Sequence, residues 1–424
     1  MSKNMEEEVM LESVLEAHNL RRAWRAVKAN AGAAGVDGRD IEQTRTHLKA
    51  HWAVIAQKLR AGQYRPGAVR EVPIPKANGG MRTLGIPNVQ DRLIQQAILQ
   101  VLSPVFDPGM SEHSYGFRPG RSAHDALDAA RAYVATGKTW VADIDLKSFF
   151  DQVNHDKLMH AVSRQVRDKN LLRLIGGYLR APMQGVDGGQ RARNCGTPQG
   201  GPLSPLLANI YLHPLDCELA RRGVAFVRYA DDIAIFAGSE RAAKRILESV
   251  VAWIERELKI EVNRGKSGTG LSDDTQLLGF RIHGAGEVSV APKALKRMKE
   301  KVREIWEQRS HLTEDELKRR WRRYIEGWWN YFSYANRRAE VTALSGWIRR
   351  HMRKYFWQRW HNPKGRANAL RRLGVRGRGV GVAWSRCGAW PMARHVVVQQ
   401  ALKTIRLHRA GFGLPWELAS SPRG

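Results

Sequence analysis

Two adjacent carboxylates, Asp231 and Asp232, interrupt two runs of strand-forming residues, Phe226 to Ala230 and Ile233 to Phe236. Each run mixes β-branched and aromatic side chains, as hairpin strands do, so the stretch predicts a hairpin with both acids at its tip. A tight turn holds such acids close together and exposed, and their repulsion is wasted unless a cation neutralises it. Hard divalent ions such as Mg2+ take oxygen ligands of this kind. Asp is equally at home in an ordinary polar turn, so the pair alone leaves both readings open.

The chain around this stretch is long and strongly basic. Its 424 residues suggest about two to four domains, and 43% hydrophobic content is ample for large cores. Lys and Arg number 70 against 41 Asp and Glu, for a formal charge of +29 and a pI of about 10.5. That excess points to a polyanion as partner. Membrane surfaces also attract basic chains, but there is no apolar run of the ~18 residues that a spanning helix needs. Met1 to Leu20 carries Glu6, Glu7 and Glu8 and lacks the basic start and apolar core of a signal peptide, so the expected location is the cytoplasm. Cys195, Cys217 and Cys387 are isolated, without Cys-x-x-Cys spacing, which argues against a zinc site or a disulfide framework.

In chain order, Met10 to Lys28 and Ile41 to Leu59 carry apolar residues at helical spacing. Between them, Ala31 to Gly38 is rich in glycine and small residues; it reads as a flexible loop or as backbone that another chain approaches closely. From Arg70 to Pro87, two extended runs flank Asn78-Gly79-Gly80, a hairpin signal. Lys76 and Arg82 straddle that turn and suit phosphates, one as a point charge and the other as a planar fork. A helix, Asp91 to Leu102, follows. The loop Ser114-Tyr115-Gly116-Phe117-Arg118-Pro119-Gly120-Arg121-Ser122 then offers two arginines, and Ser122 is a plausible N-cap for the next helix.

A second acidic centre lies in Trp140 to Asp151. Asp143 and Asp145 alternate with apolar residues, so a strand puts both on one face and Ile144 and Leu146 on the other. Acids on so apolar a strand must be paired, hydrated or metal-bound. Together with Asp231 and Asp232, this strand supplies the third carboxylate that a two-metal site needs. Cys195 to Pro205 forms a Pro/Gly loop with Gln199 at its bend. The stretch after the Asp pair runs through an amphipathic helix to Asn263 and Lys266, then to a strand around Leu278-Gly279-Phe280.

The order of these blocks resembles that of reverse transcriptases, and most closely the bacterial group II intron reverse transcriptase/maturases that lack an endonuclease domain. The resemblance continues through Trp321 to Phe332, which is similar to the family's thumb and maturase region. It implies an α+β right-hand polymerase, with antiparallel palm sheet, fingers and a helical thumb. It implies that Asp145, Asp231 and Asp232 hold two Mg2+ ions, with Mn2+ as a substitute, helped by the Leu146 carbonyl, while Asp143 stands behind them. Phe150 corresponds to the gate that rejects a 2′-hydroxyl and Gln199 to a residue lining the incoming nucleotide. Lys76 and Arg82 correspond to the triphosphate clamp, and Lys266 to the proton donor for the leaving pyrophosphate. Gly32 and Gly35 fall in the family's template-contacting block, with Arg118 and Arg121 as further nucleic-acid contacts.

Ten of the fourteen tryptophans lie beyond residue 300, interleaved with Arg and Lys. At helical spacing such rings are usually core, while intervening cations, among them Arg322, Arg323, Arg350 and Lys354, face solvent and track phosphates. The expected division is an N-terminal extension over 1–60, fingers and palm over 61–285, thumb over 286–362 and a basic DNA-binding region over 363–424. The expected activity is RNA-templated DNA synthesis from dNTPs on a template/primer duplex, combined with binding of a structured intron RNA to assist splicing and mobility. A splicing cofactor with little polymerase activity, or a relative diverted to defence or repair, are the alternatives.

Overall fold

The computed structural model describes residues 10–75, 80–307 and 312–418. The chain divides into two compact units, with the boundary between Leu271 and Ser272. Among the described residues ten strands form three sheets: β1 (Val69–Pro75), β2 (Met81–Ile86), β3 (Trp140–Asp145), β4 (Met183–Gln184), β5 (Gln190–Arg191), β6 (Ala225–Tyr229), β7 (Asp232–Ala237), β8 (Gly268–Leu271), β9 (Phe280–Ile282) and β10 (Val288–Val290).

In the first unit, the single N-terminal helix expected over Met10 to Lys28 is two, Leu11–Leu15 and Ala17–Ala29, broken at Glu16 with ψ 138°. The break has a local cause. At the break the buried Asn19 amide donates to the Val14 carbonyl at 3.0 Å, an acceptor that a continuous helix would use itself, while the start of the first helix is held by the Asp168 carboxylate, which accepts the Leu11 N–H at 2.8 Å. The helix Ile41–Arg60 opens on a reciprocal Asp40/Gln43 capping box. Leu48, Leu59, Ile94, Ile98 and Leu102 then join one core that continues through Leu206, Phe226, Ile233 and Val262.

The two extended runs of the ribbon pair as read, β1 and β2 antiparallel with Ile74 opposite Arg82 in a sheet of order β2-β1-β4-β5, while Lys76 to Gly79 of the expected turn lie outside the described residues. The second sheet has order β6-β7-β3-β8 and is antiparallel throughout. Its inner strands are buried except at the acids and at Trp140, because their apolar side chains face helices on the flanks; Ala123–Ala135 and Glu240–Trp253 both pack against it.

The second unit begins with the β9–β10 hairpin and continues as three long helices, Pro292–Glu307, Glu314–Phe332 and Ala339–Arg359, followed by shorter ones. Phe280, read as part of the polymerase body, packs here against Tyr331, Phe332 and Tyr334 at centroid distances of 5.4, 5.1 and 5.8 Å. Trp306, Trp321 and Trp357 are wholly enclosed, as helical spacing predicts, whereas Trp384 is exposed. Among the described residues no helix is long and apolar enough to cross a membrane.

Candidate active site

The β6–β7 hairpin closes through a two-residue turn, Ala230-Asp231, with Tyr229 opposite Asp232. Ala230 is left-handed, at φ 57°. On the other side β7 pairs with β3 so that Asp145 stands directly opposite Asp232. Register alone therefore gathers three acids from positions 145, 231 and 232 at one end of the sheet, with Asp143 two residues further in.

Their electrostatics reflect that crowding. One edge of Asp232 is open to solvent, yet its carboxyl is pushed up to about 6, first by lost hydration and then by the charges of Asp231 and Asp145. Asp143 is also raised to about 6, by burial and then by Asp232 and Asp145. Carboxylates that repel in this way suit a divalent cation, and all are hard oxygen donors.

Asp145 is held in a defined pose. Its N–H donates to the Ser267 hydroxyl at 2.9 Å, and its carbonyl accepts from the Asn263 N–H at 2.8 Å. One carboxylate oxygen accepts from the Asn263 amide at 2.9 Å and lies 3.3 Å from the Lys266 ammonium. Segment 262–267 is thus fastened to the end of β3, with Leu146 bridged to Val262. That oxygen is turned onto Asn263 and Lys266. Among the described residues no group of three or more His, Cys, Asp or Glu is positioned to hold an ion as it stands. The donor chemistry nevertheless fits one, since Asp145, Asp231 and Asp232 all offer hard carboxylate oxygens.

Phe150 is buried in a helical turn, Phe149–Gln152, its ring 5.2 Å from Phe149. Its carbonyl accepts from the Thr197 N–H at 2.7 Å, and the Gln199 carbonyl accepts from the Gly85 N–H at 2.8 Å. The Pro-Gln-Gly loop therefore spans from the Phe150 turn to β2, the strand that carries Arg82. Lys76 lies outside the described residues.

Three expected nucleic-acid contacts are engaged within the chain itself. Gly32 and Gly35 serve a close approach within the chain: a Cβ on Gly35 would stand 2.6 Å from Asn88 Cα, and Arg92 donates to the carbonyls of Gly32 and Ala33 at 3.5 and 2.7 Å. Arg118 is buried, and its guanidinium is occupied by Asp107 and by the carbonyls of Ser111 and Ser114 at 2.6 and 2.9 Å. A fork so committed pins its own loop and cannot also grip a phosphate. Arg121 donates to the Glu112 carbonyl and lies 5.4 Å over the Tyr115 ring.

In the second unit, Arg322 and Arg323 are exposed on Glu314–Phe332. Arg350 and Lys354 sit over the Trp390 ring at 5.6 and 5.9 Å. Trp347 and Trp390 enclose His351, at 4.5 and 4.8 Å, and burial with the nearby Lys354, Arg303 and Arg350 holds its imidazole down to about 4. That ring is neutral, so positive charge on this face comes from the arginines and lysine.

Sequence reasoning missed the residues that support the acids: Asn263 as a partner of Asp145, and Asp216, Asn209 and Arg228 beneath the turn. A signal existed, since Arg228 is a lone cation in an otherwise apolar strand.

Residues 74–282 match the family described as reverse transcriptase (RNA-dependent DNA polymerase), and 295–374 match the group II intron maturase-specific domain. Protein YkfC of Escherichia coli K12 is 32% identical over 314 residues, covering 64% of this chain and 82% of YkfC. The group II intron-encoded protein LtrA of Lactococcus lactis subsp. cremoris is 41% identical over 164 residues, covering 38% of this chain and 27% of LtrA. A putative COX1/OXI3 intron 1 protein of Saccharomyces cerevisiae is 31% identical over 217 residues, covering 50% and 26%. The chain thus spans most of the first relative and about a quarter of the other two.

Proposed function

The chain belongs to the group II intron reverse transcriptase/maturase family, an RNA-dependent DNA polymerase joined to a maturase-specific domain, and on that premise we propose that Asp145, Asp231 and Asp232 are its polymerising centre and hold Mg2+. The observation that carries the reading is the β3–β7 register, which sets Asp145 opposite Asp232 with Asp231 in the adjoining turn. Bound there, the divalent ions supply charge that activates the attacking oxygen and stabilises the leaving one.

The chain's own groups do the remaining work. The primer 3′-oxygen bonds to the α-phosphorus of a dNTP, the bond to the β-phosphate oxygen breaks, and pyrophosphate leaves. Lys266, an exposed ammonium tethered to Asp145, is the group that gives a proton to that leaving oxygen. Lys76 and Arg82 hold the triphosphate, and Gln199 and Phe150 line the nucleotide. In the second unit, Arg322, Arg323, Arg350 and Lys354 contact phosphates of a structured intron RNA, through which the protein assists splicing. These partners and the basic charge suit work in the bacterial cytoplasm or nucleoid.

Primer extension on an RNA template with dNTPs and Mg2+ tests the first part. Asp231→Ala and Asp232→Ala are expected to abolish extension while leaving RNA binding in place. Full retained activity in either variant would overturn the assignment.

A further inference from the structure

Beneath the acidic turn lies an ion pair that polymerisation chemistry does not itself require. Arg228, on β6 two residues before the turn's left-handed Ala230, is wholly buried, as is Asp216 on the helix Ser204–Arg221. The guanidinium donates to the two Asp216 oxygens at 2.6 and 2.5 Å, to the Asn209 side-chain oxygen at 2.9 Å and to the Ala230 carbonyl at 2.9 Å. Asn209 and Asp216 lie two helical turns apart, so one face of that helix presents both acceptors. The Asn209 amide in turn donates to the Gly116 carbonyl at 2.9 Å. Gly116 is pressed against the turn from the other side: a Cβ there would stand 2.4 Å from the Ala230 nitrogen. The Arg228 backbone completes the brace, its N–H donating to His113 and its carbonyl accepting from Tyr115, both at 2.9 Å.

A buried charge pair is seldom the most stable filling for a core, since apolar residues of equal volume avoid the cost of desolvating two ions. What hydrocarbon cannot supply is a fixed donor to the Ala230 carbonyl. That carbonyl belongs to a left-handed, Cβ-bearing residue whose conformation must be imposed by its surroundings. The next two residues are the acids.

We propose that Arg228 is a positioning residue: anchored by Asp216 and Asn209, it fixes the Ala230 peptide so that Asp231 and Asp232 are presented in one orientation opposite Asp145. The inference rests on the polymerase reading and deepens it. The segment His113 to Gly116, leading into the loop whose Arg118 and Arg121 were expected to contact nucleic acid, serves here as the second jaw of the clamp.

The test uses the full-length protein with the double substitution D216L/R228M, which removes both charges together and keeps the space filled. Single-turnover primer extension reports rate per competent complex, so a partly folded preparation does not confuse it. The expected result is a rate constant reduced by about tenfold or more, with dNTP KM changed by less than about threefold and a higher Mg2+ concentration for half-maximal rate. In metal-free protein, backbone hydrogen exchange in the peptide spanning Tyr229–Ile233 is expected to quicken while that of β3 is unchanged. Asn209→Ala leaves the ion pair intact and is expected to give the same pattern at smaller amplitude, so it decides the matter if the double variant does not fold. Wild-type rate and wild-type exchange in the folded variant overturn the proposal. An inactive wild type would instead overturn the polymerase reading, with the exchange measurement still deciding the brace.

Discussion

Replacing Gly116 by alanine pushes on the catalytic turn from outside. The new Cβ would lie 2.4 Å from the Ala230 nitrogen, 3.0 Å from the Tyr229 carbonyl carbon and 3.2 Å from Ala230 Cα. All three neighbours are backbone, so none can swing aside as a side chain would. Contacts under 3.0 Å are essentially never seen, and ordinary contact begins near 3.4 Å, so turn and loop must separate by about 0.6 to 1 Å. Overpacking of this kind costs about 1–3 kcal/mol of stability. At a reacting centre, a displacement near 1 Å costs on the order of 100-fold in rate. The assay is single-turnover primer extension beside urea unfolding of the same preparation. Gly109→Ala is the matched control, because its added Cβ meets nothing within 4 Å. If Gly116→Ala extends primers as fast as Gly109→Ala does, the turn is not held in the way argued here.

The buried Asp91 carboxyl, raised to about 6 by burial despite accepting from the Tyr64 hydroxyl at 2.7 Å and the Gly67 N–H at 3.1 Å, gives a pH dependence. Its folded value lies above its unfolded one, so its contribution to stability is complete below about pH 4 and is lost as pH rises through about 6; the span is about 3 kcal/mol. Asp91→Asn is expected to flatten the wild-type fall between pH 4 and 7 by about that amount, and parallel urea midpoints for both proteins would refute it. Removing Arg322 and Arg323 together is expected to weaken intron RNA binding across sequences and to lower the salt slope by roughly 1.5, read by filter binding at several salt concentrations; an unchanged slope removes both from the interface. Trp357→Ala empties a fully enclosed site with Arg366 over the ring at 4.8 Å, so a loss of about 3–5 kcal/mol is expected in thermal unfolding of the second unit, and a loss under about 1 would show that the ring is not core.

What could be read from residues alone followed from period and local chemistry. The alternation around Asp143 and Asp145 and the strand-forming runs around Asp231 and Asp232 specify their own faces and turn, and the β1–β2 ribbon announces itself through Asn78-Gly79-Gly80. What stayed hidden depends on which distant segment a residue meets. An arginine reads the same whether it grips a phosphate or a carbonyl of its own chain, and Arg118 proves to do the second. Gly35 signals close approach without saying to what; the answer, Asn88, lies more than fifty residues on. Arg228 looks like a surface cation until Asp216 and Asn209 are brought beneath it by a helix that starts at Ser204. The partner of the Leu11 N–H at the start of the first helix, Asp168, likewise lies far along the chain.

The central position of β3 has a consequence for how the chain is made. Its neighbours β7 and β8 are both synthesised much later, and the Asn263 contact that fixes Asp145 is 118 residues downstream. On a ribosome, Trp140 to Asp145 emerges with two open edges; β7 can close one of them, and the other stays open until Gly268 to Leu271 follow. The acidic centre is therefore among the last parts of the first unit to assemble, and a chain that stops before residue 271 carries all three carboxylates without the partner strand that completes their sheet.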